Sequence, residues 1–442
     1  MKNNPCFITI PVNLFTKLVL IVGIVFMPLQ TIGQSKFKKN IEVSQSLAFP
    51  INSLNSDDFS DLQFLKDEIG EKKIIWLGEN DHAIKDINIL KNRLIRFLHE
   101  EMSFNVVVFE SGIANCGLSN LSKSQMNPFE YLYTSILGYW RTEDNCSLMQ
   151  YFKENELDVA GMDPNYKARF LPKRCYDFIF SENSKLAAQH YKYDSLMTCL
   201  MIDKSRLFHS KDTKDKKNKK AIELSYQTDS IQLAYLKILD TISIDDLNPL
   251  IANEQTLRVL QIGLKNNIKD LSKNAKDFKD SELFWVNNRE RDSLMAANLT
   301  YIKDSIYPEE KMIIWAHNVH IQKATKNISP RPFETISYHL PERIKEESFV
   351  IGIFADLNIK SCSKRSVFNI SRKMNMGLFY LNTTSFKPSY KLDYKDFWTN
   401  SNYTDCNWIE SGKQNFNQKY DAFIYIPNAR KRVLLNHDPF KD

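Results

Sequence analysis

Histidines and carboxylates in this sequence stand directly after short apolar runs, where they are well placed to form a reactive site. Glu79 and His82 follow one such run, and Glu110 ends a second. His317 and His320 follow a third run, which reads MIIWA. Imidazole and carboxylate groups perform general acid–base catalysis, and they also bind metal ions. These residues therefore indicate an active site, and both kinds of chemistry remain open at this point.

The elements that would position these groups alternate between strands and helices. A helix is predicted over residues 87–102, because Leu90, Leu94, Phe97 and Leu98 recur at helical spacing. Alternating strands and helices predict an α/β protein with a mainly parallel sheet flanked by helices. Ligands bind at the carboxyl ends of such strands. The predicted strands are 72–79, 105–112, 157–164, 311–318, 348–354 and 421–427.

The chain of 442 residues is long enough for one large domain or two ordinary ones. No clean break in the hydrophobic pattern divides it, so one α/β domain is predicted over residues 40–442. Residues at about 185–303 carry helical patterns between the third and fourth predicted strands. We expect them to form a largely helical subdomain that covers the sheet.

Residues 1–33 have the pattern of a secretory signal peptide. Lys2 and Lys17 precede the apolar run 18–29, which is shorter than the about 20 residues of a transmembrane helix. We therefore expect export to the periplasm or the extracellular space. An uncleaved segment would instead anchor the protein to a membrane, which is the one membrane contact that the sequence predicts.

Composition and missing motifs exclude several function classes. The net charge of +6 owes much to the lysine-rich run 211–220, which lacks the interleaved aromatic residues of a nucleic-acid binder. No nucleic-acid partner is therefore predicted. The absence of C-x-x-C disfavours a thiolate zinc site, and the absence of G-x-S-x-G disfavours a serine hydrolase of the α/β type.

An ordered set of motifs resembles the erythromycin esterase family over residues 74–427. The family's Gly-Glu-x-x-His motif corresponds to Gly78, Glu79 and His82, and a second strand ends in Glu110. An Arg-Asp helix then precedes a strand that ends in His-Asn-x-His. The corresponding residues in this chain are Arg291, Asp292, His317, Asn318 and His320.

The chain also resembles the family in two further segments and departs from it in several positions, including Ala83 and Ile84, where the family usually has Gly and Thr or Ser. GYWRTEDN, residues 138–145, is similar to a tryptophan-containing substrate loop, and AGMDP is similar to the family's third strand. Asp81 stands where the family usually has Thr. Lys91 stands where it often has Arg, with Arg93 nearby. A lysine offers a point charge where an arginine offers a planar fork of donors.

The resemblance implies hydrolysis of a small-molecule ester, such as a macrolide lactone, with neither a metal nor another cofactor. His82 is predicted to be the general base, and Glu79 and Glu110 to orient it or the water. His317 or His320 is predicted to donate to the oxyanion or to protonate the leaving alkoxide. The predicted substrate-binding residues are Lys91, Arg93, Trp140, Arg141, Asp163, Arg291 and Asn318.

Two alternatives remain beside the metal-free esterase. The first is a metal-dependent hydrolase that binds zinc or manganese through the same histidines and carboxylates. The second is an exported binding protein that kept the fold without turnover, because fold alone does not imply function. The ligands in the metal alternative would come from Glu79, His82, Glu110, Asp163, His317 and His320.

Overall fold

A computed structural model describes residues 41–164, 171–210, 212–263, 281–323, 334–358, 367–383 and 419–435. Within these ranges eight strands form one mixed sheet in the order β1-β7-β8-β6-β2-β5-β3-β4. The strands are β1 Ala48–Pro50, β2 Ile74–Leu77, β3 Phe104–Gly112, β4 Asp158–Asp163, β5 Lys311–Trp315, β6 Ser348–Ala355, β7 Phe379–Asn382 and β8 Ala422–Ile426.

The sheet is parallel from β8 through β6, β2, β5 and β3 to β4. The short strands β7 and β1 add an antiparallel edge beside β8. The predicted α/β class with a mainly parallel sheet is therefore confirmed. The six parallel strands agree with the predicted ones. The antiparallel strands β1 and β7 were not predicted, because three or four residues carry too little alternation.

Helices flank the sheet and connect its parallel strands. The described α-helices with defined bounds are α1 Phe64–Ile69, α2 Lys85–Met102, α3 Ile113–Leu121, α4 Pro128–Ser135, α5 Glu143–Glu154, α6 Lys173–Ile179, α7 Ser184–His209, α8 Lys214–Leu239, α9 Glu254–Arg258, α10 Ser281–Tyr301, α11 Asn318–Ile321, α12 Ile336–His339, α13 Glu342–Glu346 and α14 Val367–Met374. Short 3₁₀ helices occur at Ser60–Leu62, Lys123–Gln125, Gly138–Trp140 and Ile244–Asp246, and π-helical turns at Val259–Gly263 and Ile302–Ile306.

Each face of the sheet carries its own hydrophobic core, because successive strand residues point to opposite faces. In β2, Ile75 and Leu77 belong to one core, and Ile74 and Trp76 belong to the other. The first core includes the apolar face of α2, which presents Leu90, Leu94, Phe97 and Leu98. Both faces of β2 are thus covered, and only its carboxyl end is left for polar chemistry.

The stretch predicted as a helical subdomain contains the two long helices α7 and α8, which pack against each other. Residues 264–280 of that stretch lie outside the described part of the chain, and the subdomain boundaries stay a prediction. The predicted signal segment, residues 1–33, also lies outside it. Among the described residues no helix has both the length and the apolar character needed to cross a bilayer.

Gly78 allows the carboxyl ends of β2 and β5 to approach each other closely. A Cβ atom at this position would lie 1.9 Å from Oδ1 of Asn318 and 2.6 Å from Cδ1 of Ile321. The Asn318 amide fills that space. Its Nδ2 donates to the Ile353 carbonyl in β6 at 2.9 Å, and its Oδ1 accepts from the Ile353 backbone N–H at 3.3 Å. The backbone N–H of Asn318 also donates to the Glu79 carbonyl at 2.8 Å. Asn318 therefore ties together three strand ends beneath the site through its side chain and its backbone.

Candidate active site

Four predicted strand ends meet at one edge of the sheet. Glu79 follows β2, Glu110 lies near the end of β3, Asp163 ends β4, and His317 follows β5. The β3–β4 register shifts between Phe109 and Gly112, which places Glu110 in an irregular part of its strand. Such bulges redirect side chains and are common beside active sites.

Glu79 is the most heavily bonded side chain at this edge. Its Oε1 accepts hydrogen bonds from His82 Nδ1 and from Trp140 Nε1, the latter at 2.9 Å. Its Oε2 accepts from Lys91 Nζ at 2.8 Å and from Trp315 Nε1 at 3.1 Å. Glu79 is fully buried, so these four donors replace the water that an ionised carboxylate would otherwise need. We call these five residues the Glu79 cluster.

Charge compensation keeps the Glu79 carboxylate ionised. Burial raises its pKa, but the nearby Lys91 and His82 outweigh burial and lower the pKa to about 2. Burial lowers the pKa of Lys91 to about 8, although Glu79 acts in the opposite direction. The Lys91–Glu79 ion pair is therefore intact between about pH 2 and pH 8.

Lys91→Arg is expected to remove an alkaline limb from the pH profile of activity. Above about pH 8 Lys91 loses its proton, and Glu79 becomes an uncompensated buried anion. An arginine keeps its charge throughout this range. The measurement is kcat/KM against pH, with the uncatalysed rate subtracted. An alkaline limb that Lys91→Arg leaves in place would assign it to another group.

His82 is held on one ring nitrogen and left available on the other. Its Nδ1 bonds Glu79, and among the described residues Nε2 has no hydrogen-bond partner. The ring stacks on Tyr139 at 5.2 Å between centroids and meets Trp140 edge-on at 5.3 Å. Its side chain is 26% exposed, whereas that of Lys91, the other ion-pair partner of Glu79, is fully buried. Nε2 is therefore the nitrogen that can exchange a proton with a ligand.

His317 lies beside His82, with 5.2 Å between the ring centroids. Its Nδ1 accepts a hydrogen bond from the backbone N–H of Val319 at 3.2 Å, so the ring proton resides on Nε2. Burial, followed by the proximity of His82, lowers the pKa of His317 to about 3. The ring is therefore neutral near pH 7 and can donate one hydrogen bond from Nε2.

Glu110 forms the centre of a second group next to the first. Its Oε1 accepts from Arg291 Nη2 at 2.8 Å, and its Oε2 accepts from the backbone N–H of His317 at 2.9 Å. Arg291 also binds both oxygens of Asp163, at 3.2 and 2.5 Å. His320 contacts Arg291 and Glu110 through Nε2, at 3.1 and 3.4 Å. We call Glu110, Asp163, Arg291, Asp292 and His320 the Glu110 cluster.

The Glu110 cluster is a buried charge network. Burial raises the pKa of Glu110, but His320 and Arg291 lower it well below its usual range. Burial lowers the pKa of His320, but Asp292 and Glu110 outweigh burial and raise the pKa above its ordinary value. Asp292 contacts His320 Nδ1 at 2.7 Å. Both His320 nitrogens contact charged protein groups, so this residue links the members of the network, and its catalytic role stays a prediction.

A comparison with known families decides what kind of protein carries this site. A sequence model of the family described as erythromycin esterase matches residues 99–358, which is more than half of the 442 residues. The chain belongs to the erythromycin esterase family. The resemblance that the motifs indicated is therefore confirmed.

Relatives of this erythromycin esterase family member agree with the assignment. The chain is 27% identical over 433 residues to "Putative hydrolase YbfO" of Bacillus subtilis (strain 168), covering 88% of this chain and 90% of that protein. It is 23% identical over 289 residues to "Erythromycin esterase type II" of Escherichia coli, covering 60% and 65%. Family and relatives together support a hydrolase of the erythromycin esterase type.

The fold of the family member also matches a solved structure. A mutant of the erythromycin esterase EreC, in its open conformation, superposes with a TM-score of 0.52 at 16% sequence identity. The match covers 86% of this chain and 96% of that one. At this level of identity the likeness supports the α/β fold, and the chemistry rests on the residues of this chain.

In this esterase-family chain, three predicted substrate-binding residues have other partners. Arg93 is buried against Asp61 and against backbone carbonyls of the segment 53–58. Asn318 joins strand ends, as described above. Arg141 donates to the Tyr133 carbonyl at 2.9 Å, and its guanidinium lies over the Tyr133 ring. These contacts stabilise the fold, and the substrate contact of all three residues stays a prediction.

The remaining predicted binding residues lie in the two clusters but bond protein groups. Lys91 and Trp140 donate to Glu79, and Arg291 holds Asp163. Lys91 is completely buried, so it acts on a ligand only through Glu79. These side chains therefore shape and charge the site, and the exposed Tyr139 is the better candidate for direct contact.

Sequence reasoning missed Trp315, and a physical signal for it existed. This tryptophan stands in an otherwise aliphatic strand, two residues before His317. A buried indole N–H usually finds an acceptor, and the acceptor here is Glu79. Asp292 had no predicted role beyond its place in the family motif. In the structure its carboxylate bonds His320 Nδ1.

The site groups are arranged for hydrogen bonding more than for metal binding. Both Glu79 oxygens accept from N–H donors, as do both Glu110 oxygens. Across the part of the chain that the structure describes, no three His, Cys, Asp or Glu side chains are grouped so as to hold a metal ion. These hydrogen bonds are compatible with acid–base use of the residues, and the metal alternative stays open.

Proposed function

We propose that the protein hydrolyses a small-molecule ester, with a macrolide-like lactone as the first class to test, using His82 as the general base. The observation that carries this proposal is the His82–Glu79 hydrogen bond. A buried carboxylate on Nδ1 fixes the imidazole tautomer and stabilises the imidazolium that forms during proton transfer. Nε2 then has the lone pair that accepts a proton from water.

The proposed reaction proceeds in two balanced steps. His82 Nε2 takes a proton from water as the water oxygen bonds the ester carbonyl carbon, giving a tetrahedral oxyanion. The carbon–alkoxide bond then breaks, and the imidazolium returns its proton to the leaving oxygen. The products are a carboxylic acid and an alcohol, or one hydroxy acid when the substrate is a lactone.

His317 is the proposed donor to the oxyanion. Its neutral ring carries a proton on Nε2 and lies 5.2 Å from the His82 ring, between centroids. A donor already in place when negative charge develops stabilises the transition state without reorganisation. Glu110 supports this role, because its bond to the His317 backbone N–H fixes the segment that carries the ring.

Tyr139 is the proposed contact for the body of the substrate. Its ring is 52% exposed and stacks on His82, so a ligand that reaches the base passes this aromatic surface. Apolar and aromatic side chains line most small-molecule sites. We also propose that the protein is exported, as the N-terminal pattern predicts, so the substrate would be a molecule outside the cytoplasm.

Mass spectrometry of lactones and other esters incubated with the mature protein in chelator tests the proposal. We expect a product heavier by one water, and in ¹⁸O-labelled water the label should enter the carboxyl group. Turnover that appears only after zinc or manganese is added would favour the metal alternative. Ligand binding without any turnover, weakened in Glu79→Gln, would favour the binding-protein alternative.

A further inference from the structure

The segment 428–435, which follows β8, crosses the carboxyl edge of the sheet and pairs with the loop that carries His82. Lys85 N donates to Arg430 O at 2.8 Å, and Arg432 N donates to Ala83 O at 2.9 Å. Ile84 and Lys431 form an isolated antiparallel bridge between these two contacts. We call segment 428–435 the C-terminal strap.

The far end of the C-terminal strap bonds a second part of the site. Leu435 N donates to Arg141 O at 2.9 Å, and Tyr133 Oη donates to Leu435 O at 2.8 Å. Arg141 directly follows the 3₁₀ turn that carries Tyr139 and Trp140. The strap therefore joins the His82 loop to the turn whose aromatic rings pack on the His82 imidazole.

Arg432 makes this connection through its side chain as well. Its Nη1 donates to the backbone carbonyl of His82, and its guanidinium lies over the Tyr139 ring at 5.5 Å from the centroid. Tyr139 in turn stacks on His82 with an interplanar angle of 16°. Arg432 thus contacts the His82 backbone and also supports the Tyr139 ring that stacks on the His82 imidazole.

The His82 loop needs such support because regular structure does not hold it. β2 ends at Leu77 and α2 begins at Lys85, so His82 lies in irregular backbone. Within the loop, Ala83 N bonds the Asp81 carboxylate at 2.7 Å. A displacement of about 1 Å at a reacting group can cost about a hundredfold in rate.

We infer that Arg432 is a positioning residue for His82 and that the C-terminal strap reaches the active site through this one side chain. The strap lies beyond residues 99–358, the part of the chain that the family model matches. The inference rests on the proposed function, since it assigns Arg432 to the base of that reaction. A guanidinium suits both contacts, because it donates in its plane while its face covers an aromatic ring.

Arg432→Gln and Arg432→Lys test the inference, with Arg430→Gln as a control for loss of charge in the same strap. Arg430 pairs with Asp86, and Asp86 keeps the Arg430 backbone N–H after the control substitution. We expect Arg432→Gln to lower kcat about tenfold and to change KM less than about twofold, since the base is misplaced. Arg432→Lys should fall between Arg432→Gln and the natural protein.

A second measurement needs no substrate. Carbethoxylation of His82 by diethyl pyrocarbonate, followed by mass spectrometry, reports how firmly the imidazole is held. We expect faster modification in Arg432→Gln and a natural rate in Arg430→Gln, with unchanged melting temperatures. This pattern in a protein that cleaves no ester would uphold the role of Arg432 and refute the proposed function.

Equal behaviour of the two glutamine variants would overturn the inference. If Arg432→Gln and Arg430→Gln match in kcat and in His82 modification, Arg432 contributes no more than any strap residue. A second outcome would also show that Arg432 is only a structural residue. In that outcome Arg432→Gln lowers both the melting temperature and kcat, Arg432→Lys restores both, and the rate of His82 modification does not change separately.

Discussion

His82→Gln is expected to lower kcat by about 10²- to 10⁴-fold, the usual contribution of a positioned general base. Glutamine retains a hydrogen-bonding group of similar reach for Glu79, but it has no nitrogen that accepts a proton near pH 7. The fold should survive, because His82 is partly exposed. Steady-state kinetics on the ester found by mass spectrometry provides the measurement.

His339→Gln is the matched control for His82→Gln. His339 ends the short helix α12, and its ring lies 3.4 Å from Glu334 rather than in either cluster. Its substitution should leave kcat within about twofold, as expected for a partly exposed residue away from the site. Comparable losses in both variants would indicate general damage, and full activity in His82→Gln would remove His82 from its proposed role.

Lys91→Met is expected to destabilise the protein by about 3–5 kcal/mol, because it leaves the buried Glu79 carboxylate without its cation. The double variant Glu79→Gln/Lys91→Met removes both charges and should recover much of the lost free energy of unfolding. It should nevertheless remain inactive, since the anion that orients His82 is gone. Urea unfolding followed by circular dichroism measures both effects.

A surface ion pair gives the comparison for Lys91→Met. Lys173 pairs with Asp177 one turn along α6, where both side chains are about half exposed. Lys173→Met should change the free energy of unfolding by less than about 0.5 kcal/mol. If Lys91→Met costs no more than Lys173→Met, the Glu79 charge is stabilised by its other donors and the ion pair is dispensable.

The pH dependence of stability has a definite sign for Glu79. Its pKa of about 2 in the folded protein is below the ordinary value of 4.5, so the unfolded chain binds more protons between these values. The contribution of Glu79 to the free energy of unfolding is complete above about pH 4.5 and is lost as the pH falls towards 2. Glu79→Gln should flatten this part of the stability profile.

The edge of the sheet at which the candidate groups lie could be predicted from the alternation of strands and helices. Apolar runs marked β2, β3, β4 and β5, and a parallel sheet brings their carboxyl ends to one edge. Glu79, Glu110, Asp163 and His317 were therefore expected at the same edge, and the order β2-β5-β3-β4 brings them into neighbouring positions there. The structure adds the partners of each group, which depend on side-chain direction and on contacts between distant segments.

The choice between Lys91 and Arg93 shows where sequence reasoning stops. Both lie in the predicted helix, but residues two apart point to different sides of a helix. Lys91 faces Glu79, whereas Arg93 faces Asp61 and the segment before α1. Arg432 was beyond prediction for another reason, because irregular backbone such as the C-terminal strap has no periodicity that reveals its contacts.

The donors around Glu79 also determine when the protein becomes competent during folding. They come from residues 82, 91, 140 and 315, and the last bond spans 236 positions of the chain. Contacts of such long range form only when the chain is largely collapsed into its native topology. A chain that has formed β2 and α2 but not β5 lacks the Trp315 donor, so we expect the Glu79 cluster to be complete only after β5 has joined β2.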